Sequence, residues 1–383
     1  MFVSSWFPWR LVRQHKGRSR PSHAPALRRR GIRLACEQLE DRTVPSNFLT
    51  AATVTDLISD INTANSFGGS NTIALVAGTT FTLTSSGLPI IAANDSLTIL
   101  GNGDTIERST AAGTPDFRIF EVAGGASLTL ASVTVQGGLV PGAGGGVYSS
   151  GSLTLEAGTI IRGNGAFGAP GDFWYGSSTP GGNAYGGGVY VAGGTATLTN
   201  VTLSSNSVQG GAGPYYPDGY NAGPGGNGFG GGLYVAGGTV TLSNVTVSSN
   251  SALGGVGLSG GNGYGGGVCV VGGSVTLIND TLSSNSAVGG GGGVSPFQQR
   301  GMGGTGFGGG LAAAGGTVTL RSDTVTGNFA QGGAGVKPRY NGGSDGGGLY
   351  IDPAAVVYLD AFTLAHTKNN RPGNIDGSYI LIT

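Results

Sequence analysis

The sequence predicts an all-β solenoid, a single-stranded parallel β-helix with a short helix capping its N-terminal end. The first observation is a 22-residue phrase written four times. It reads GGGVYVAGGTATLTNVTLSSNS from Gly186, GGGLYVAGGTVTLSNVTVSSNS from Gly230, GGGVCVVGGSVTLINDTLSSNS from Gly265 and GGGLAAAGGTVTLRSDTVTGNF from Gly308. Self-similarity of this kind marks units that bury their apolar faces only against their neighbours. The second observation is the alternation inside each phrase. Val189 and Val191 flank Tyr190, and Ala196 and Leu198 flank Thr197, a period of two that turns one row inward. The third is turn chemistry: Gly, Asn and Ser punctuate each phrase into three short strands, Val189–Val191, Thr195–Leu198 and Val201–Leu203.

The elements follow in chain order. Residues 1–46 read as a basic, largely disordered leader ending in LEDRTVPS, and residues 47–383 as the solenoid, with regular repeats over 144–370. Asp56–Ser66 carries Leu57, Ile58 and Ile61 at helical spacing before Phe67-Gly68-Gly69, which predicts the capping helix. Strands are expected at Thr72–Val76, Thr80–Thr84, Leu88–Ile91, Ser96–Leu100, Phe117–Val122, Ser127–Leu130 and Val133–Val135. In the coil starting at Gly144, Leu153 and Leu155 fall one residue out of phase, which requires one shorter turn followed by one longer one. Repeat starts at 144, 186, 230, 265, 308 and 346 leave an excess between the Asn turn and the next GGG, as in 165–185, 208–229, 287–307 and 330–345. Insertions at one point of a stacked coil emerge along one edge.

Composition agrees. Glycine supplies 80 of 383 residues without a three-residue period, which excludes collagen, while regular Val, Leu and Thr content argues against disorder. The net charge of zero hides an asymmetry: residues 1–42 hold ten Lys or Arg against three acids. The bases of the repeats are scattered singly as Arg162, Arg300, Arg321, Lys337 and Arg339, which argues against a nucleic-acid surface. Cys36 and Cys269 are too isolated to suggest a disulfide or a metal site, and no apolar run reaches the roughly 18 residues of a membrane-spanning helix.

The candidate functional residues are few. Asn164, Asn206, Asn250, Asn285 and Asn328 occupy one turn in successive coils and read as a structural ladder, amide bonded to amide, with tolerance of left-handed backbone. Tyr148, Tyr190, Tyr234 and Tyr350 share one position, filled by Cys269 and Ala312 in the coils between, and read as a covered ladder or as an external aromatic stripe. With Phe173, Trp174, Tyr175, Tyr215, Tyr216, Tyr220 and Phe297 in the inserted loops, Tyr148, Tyr190 and Tyr234 are the candidate contact residues for glycans or partner proteins. Asp280 and Asp323 are equivalent positions one coil apart. Val201 and Val245 fill the same place, so the position reads as solvated and indifferent to residue type. Glycine tracts such as GGNGFGGGL place Phe229 where a calcium-binding nonapeptide needs an acid, and no metal is expected. His366 has no evident partner, no catalytic constellation emerges, and no cofactor is expected.

These repeats resemble the right-handed parallel β-helix superfamily of pectin lyases and many bacterial surface proteins. GGGLYV followed by TLSNVTVSSNS is similar to the GGAI and FxxN repeats of chlamydial polymorphic outer-membrane proteins, with Leu203, Val247, Leu282 and Val325 where that family has Phe. RRRGIRLACEQLEDRTVPS, residues 28–46, resembles the leader of planctomycete exported proteins. The resemblances imply a right-handed coil, export with processing near Pro45-Ser46, and a bacterial secreted or cell-surface location. No membrane-anchoring barrel is expected after Gly346, where about one coil and a tail remain. A non-enzymatic structural or adhesive role is the leading expectation. A polysaccharide lyase or hydrolase is the alternative, although the acids between Gly144 and Gly348 are only Glu156, Asp172, Asp218, Asp280, Asp323 and Asp345.

Overall fold

A computed structural model of the chain describes residues 47–174, 177–214, 223–294 and 301–383. The leader expected at 1–46 lies outside these residues. The described part is a parallel β-helix. One coil runs through Val189–Val191, Thr195–Thr199, Thr202–Ser204 and Ser207–Gln209, leaves in an insertion, and returns through Gly228–Phe229 to start the next coil at Leu233–Val235. Each strand pairs in parallel and in register with its counterpart one coil away, Val189 with Leu233, Leu198 with Leu242 and Leu203 with Val247. The stacked counterparts form sheets of eleven strands (sheet 1, containing Thr195–Thr199), nine (sheet 2, containing Thr202–Ser204), eight (sheet 3, containing Val189–Val191), six (sheet 4, containing Ser207–Gln209) and five (sheet 5, containing Gly228–Phe229). Eleven strands at about 4.8 Å give sheet 1 a length of about 48 Å.

The local reasons are those the sequence offers, with four differences. The capping helix α1 spans Val54–Phe67, two residues longer at its start than expected, because Thr53 accepts from the Asp56 N–H while the Asp56 carboxylate accepts from the Thr53 N–H. Leu57, Ile61 and Ala64 are its buried face. Asn47–Ala51 and Thr105–Arg108 are strands that short periodicity did not reveal. Leu88–Ile91 is no strand; Ile91 makes a single bridge to Val122, and the Leu88 N–H donates to the Ile119 carbonyl. The phase shift at Leu153 vanishes in space. Leu153 pairs with Ala196 and Leu155 with Leu198, because the turn at Ser150-Gly151 is one residue short and the next, at 156–159, one residue long.

The interior is a stack of aliphatic rows. In one coil Val189, Val191, Ala196, Leu198, Val201 and Leu203 are all buried, and each rests on its equivalent above and below. Burying such side chains stabilises by about 1.5–3 kcal/mol apiece, so the rows are the main force holding the coils together.

The described ends of the insertions pack against one another, and this is the largest departure from the three-strand coil expected. After Ser207–Gln209 the chain runs out through Gly210 and Gly211 and comes back through Gly225 and Gly226, and the legs of successive coils bond to one another through their backbones. Gly211 donates to Gly182, Gly226 to Gly211, Gly255 to Gly226, Gly261 to Gly255 and Gly290 to Gly261, at 2.7–2.9 Å. The series continues through Gly304, Gly333 and Gly342. Neighbouring residues of one leg bond in different directions: Gly210 donates to Leu253 in the next coil and Gly211 to Gly182 in the coil before. These segments are neither helix nor strand; they form a bundle of extended glycine legs. Glycine is required here by proximity. A Cβ on Gly255 would collide with the Gly211 carbonyl oxygen, and one on Gly290 with that of Gly255.

Gly255→Ala is therefore expected to lower the melting temperature by an amount equivalent to about 1–3 kcal/mol, the usual result of forcing atoms into a filled site. Gly373→Ala, where an added Cβ meets nothing within 4 Å, is the control and should leave the circular-dichroism melt unchanged.

Candidate functional site

The asparagine file is closed to chemistry because it is saturated. Asn164, Asn206, Asn250, Asn285 and Asn328 are each at most 1% exposed. Each Nδ2 donates to the Oδ1 of the next asparagine, at 3.0 Å from Asn206 to Asn250 and 2.9 Å from Asn285 to Asn328. Each Nδ2 also donates back to a carbonyl one coil behind, as Asn250 does to Leu203. The Oδ1 of Asn250 accepts a second bond from the backbone N–H of Asn206. The file extends two steps beyond the repeated phrase, to Asn370 and then Asn374.

Left-handed backbone does not belong to these residues. It falls on the residue before them, Ser205, Ser249 and Ser284, and on Asn200, Asn244 and Asn279 at the other bend, with φ of 55–58°. The third glycine of each GGG packs on the ladder, and a Cβ on Gly232 would sit 3.0 Å from the Asn250 Cγ. A second file escaped sequence reading: Asn183, Asn227 and Asn262 each accept a backbone N–H from the next coil, Asn227, Asn262 and Thr305 respectively. Its signal was present as the residue two before the aromatic in GGNAYGGG, GGNGFGGG and GGNGYGGG.

Tyr148, Tyr190 and Tyr234 stack on one another, with ring centroids 5.0 and 5.1 Å apart. A second file from sheet 5, Tyr185, Phe229, Tyr264 and Phe307, stacks at 4.7–5.1 Å. It lies against the first: Tyr185 meets Tyr190 edge-on at 6.3 Å, and Phe229 meets Tyr234 at 6.1 Å. The two files make a satellite core in which Tyr234 is 7% exposed and Cys269 and Ala312 are fully buried. Burial pushes the Cys269 thiol and the Tyr234 hydroxyl well above their ordinary values. Tyr148 ends the file under the Arg118 guanidinium, 4.8 Å from its ring centroid, and Arg118 in turn pairs with Glu121 at 2.8 Å. Trp174 lies in a short antiparallel pair, Phe173–Trp174 with Ser177–Ser178. Tyr215 and Tyr216 lie outside the described residues, as do Tyr175, Tyr220 and Phe297.

The aspartate position corrects the sequence reading. Asp280 is 2% and Asp323 0% exposed, and Val201 and Val245 at the equivalent places are buried too. The place is an interior corner, which a valine fills by packing and an aspartate by hydrogen bonding along the axis. Asp280 Oδ1 accepts from the Val245 N–H at 2.6 Å, Asp323 Oδ1 from the Asp280 N–H at 2.7 Å, and the Asp323 N–H donates to Thr363 Oγ1 at 3.0 Å. Asp323 Oδ2 is buried with no partner. Desolvation raises Asp280 to about 7 and Asp323 to about 8, outweighing the backbone N–H groups that favour the ionised form. Neither carboxyl reaches a surface where a substrate could meet it.

Sheet 2 carries a groove that sequence reasoning missed. Thr82 donates to Glu107 at 2.9 Å, Gln136 to Glu107 at 2.6 Å and Arg162 to Gln136 at 2.8 Å, four successive coils joined side chain to side chain. With Arg108, Thr110, Gly137, Gly163 and Ser205 three of them, Glu107, Gln136 and Arg162, line a groove of about 270 Å³. The register that builds it depends on Thr105–Arg108, the strand that periodicity did not reveal. Arg108 is occupied by Asp116 at 3.1 Å and by the carbonyls of Thr114 and Pro115. His366 is half-buried, stacks on Phe362 at 3.8 Å, and its Nδ1 lies 2.8 Å from the Phe362 carbonyl. Among the described residues no group of three or more His, Cys, Asp or Glu is placed to hold a metal ion.

Two outcomes follow. Asn250→Ala leaves the Asn206 side-chain and backbone N–H groups without their acceptor, at about 1–3 kcal/mol for each buried orphan, and should cut the unfolding free energy measured in urea by several kcal/mol. The aspartates set a pH dependence. Below about pH 4 they are protonated in the folded and unfolded chain alike, and stability is full. As pH rises to 7–8 the unfolded chain ionises while the folded one resists, so stability falls, and the loss is complete above about pH 8. The melting temperature of Asp323→Val should therefore fall less than that of the unaltered chain between pH 5 and pH 8. Comparison with protein-family models, with curated proteins and with solved structures gives no match to this chain.

Proposed function

We propose that the protein is a secreted or cell-surface β-helix that works without catalysis, as a rigid structural or adhesive element. One observation carries this reading: the repeated polar and aromatic side chains are consumed by contact with their own copies in the next coil. The asparagine amides bond to asparagine amides, the tyrosines stack on tyrosines, and the aspartates accept backbone N–H groups inside the wall. Resemblance of residues 28–46 to a planctomycete export leader supports the location, and resemblance to pectin-lyase-like and polymorphic outer-membrane repeats supports a right-handed coil on a surface protein. The glycine-rich edge is one contact surface of this element. It presents the exposed apolar side chains Val256, Val294, Met302 and Val336 from successive insertions, suited to glycans or to other envelope proteins.

The groove on sheet 2 is where a polysaccharide-active reading has to be built. Its single carboxylate, Glu107, already accepts from Thr82 and Gln136, and its Arg162 is tied through Nε to Gln136. Incubation of the purified chain with polygalacturonate and other acidic glycans is expected to release neither unsaturated products nor new reducing ends. Product formation that disappears in Glu107→Gln would replace the structural reading with an enzymatic one.

A further inference from the structure

The outer face of sheet 1 is not accounted for by stacking. Two files of hydroxyls run along it, one position apart on either side of the buried row. The first is threonine at every step from Thr72 to Thr319, and the second, from Ser70 to Thr317, is serine or threonine at every step. The result is Ser/Thr-x-Thr on eight successive strands, in register throughout.

Strand physics alone asks for less. Threonine suits exposed strands, and an uncharged residue avoids repulsion when copies lie directly opposite. Yet the adjoining file on the same sheet changes freely from Thr199 and Ser243 to Ile278 and Arg321, and on sheet 2 one outward file holds Glu107, Gln136, Arg162 and Lys368. Sheet 2 repeats the pattern over only four coils, from Thr202-x-Ser204 to Thr324-x-Thr326, with Ile160 and Arg162 breaking both of its files in the coil before. Among the described residues, only the two files of sheet 1 keep hydroxyls over eight coils. Of their hydroxyls only Ser152 and Thr195 bond to each other, at 3.0 Å. Thr197, Thr241, Thr276 and Thr319 have no protein hydrogen-bond partner and face outward, with Thr197 and Thr239 exposed.

Spacing and charge identify what fits such a face. The hydroxyls repeat about every 4.8 Å along the axis and about 6.6 Å across each strand. Threonine is β-branched and stiff at χ1, so the array is held rather than averaged. Waters joined tetrahedrally at about 2.8 Å have second neighbours about 4.5 Å apart and an axial stacking repeat of about 7.4 Å. A hydroxyl donates and accepts as water does. Between Thr72 and Thr319 the two files hold no charge and no aromatic ring on which a sugar face could stack, and rings stand only at the ends of the first file, Phe48 beside Thr72 and Tyr358 beside Thr319. We infer that this face of sheet 1 binds the surface of ice, its two hydroxyl files substituting for a row of lattice waters while the threonine methyls sit between them.

This inference rests on the non-enzymatic surface reading, and the two fail separately, since release of glycan products would bear on that reading alone. The test is partition of the full chain into slowly growing ice, with crystal shape and freezing hysteresis recorded on the same sample. The expected result is enrichment in the ice fraction and faceted crystals. Thr197→Lys with Thr276→Lys places charges on the face two coils apart and should reduce enrichment tenfold or more. Gln209→Lys with Gln331→Lys, exposed on sheet 4 in a file that also holds Leu253 and Val288, should leave it unchanged, with circular dichroism confirming that both variants are folded. Exclusion of the full chain from ice would overturn the inference. So would equal loss in both folded variants, or sedimentation with crystalline cellulose or chitin in place of ice.

Discussion

Everything in this molecule depends on a single geometric condition, that each residue lie directly over its equivalent one coil away. Parallel pairing sets a step of about 4.8 Å, and within that step an asparagine amide reaches the next asparagine, a tyrosine ring stacks on the next ring, and an aspartate reaches the next backbone N–H. None of these contacts survives a slip of one residue, because a slip exchanges inner and outer faces. Register is thus enforced several times over around each coil, by aliphatic rows, by amides and by rings.

The same condition explains how insertions of different length coexist with uniform coils. Their glycine legs lie so close that only backbone fits between them, and they hydrogen-bond with legs on more than one side. Such a bundle has no apolar side chains of its own to drive its collapse. Glycine also loses more backbone freedom on ordering than any other residue. Its order therefore derives from the coils, which hold the two ends of each leg in place at Ser207–Gln209 and Gly228–Phe229 and at their equivalents.

Much of this was legible in the sequence. The coil, the inward rows, the capping helix and the asparagine file follow from alternation and spacing, which are local properties. What stayed hidden depends on neighbours far apart in the chain. Asp280 and Asp323 looked solvated because substitution by Val201 and Val245 suggested indifference, whereas both residue types are buried for different reasons. The glycine bundle and the aromatic file on sheet 5 were invisible as structure because each contributes only two or three residues per coil, too few for any period to show. Thr105–Arg108 escaped for the same reason, and with it the groove of Glu107, Gln136 and Arg162. The hydroxyl files are present in the sequence as Ser/Thr-x-Thr, but their continuity appears only when registers place them side by side.

The asparagine ladder has a direction. Every side chain from Asn164 to Asn370 gives its amide to the residue after it, and the row ends on Gly138 at one side and Asn374 at the other. Any interior coil thus presents the same donor and the same acceptor as any other, while the distance along the chain from one start to the next varies between 35 and 44 residues. Units of unequal length are interchangeable at this seam. A duplication or deletion of one whole unit leaves a complete row of bonds, so the number of coils is free to drift over generations while the cross-section is held constant.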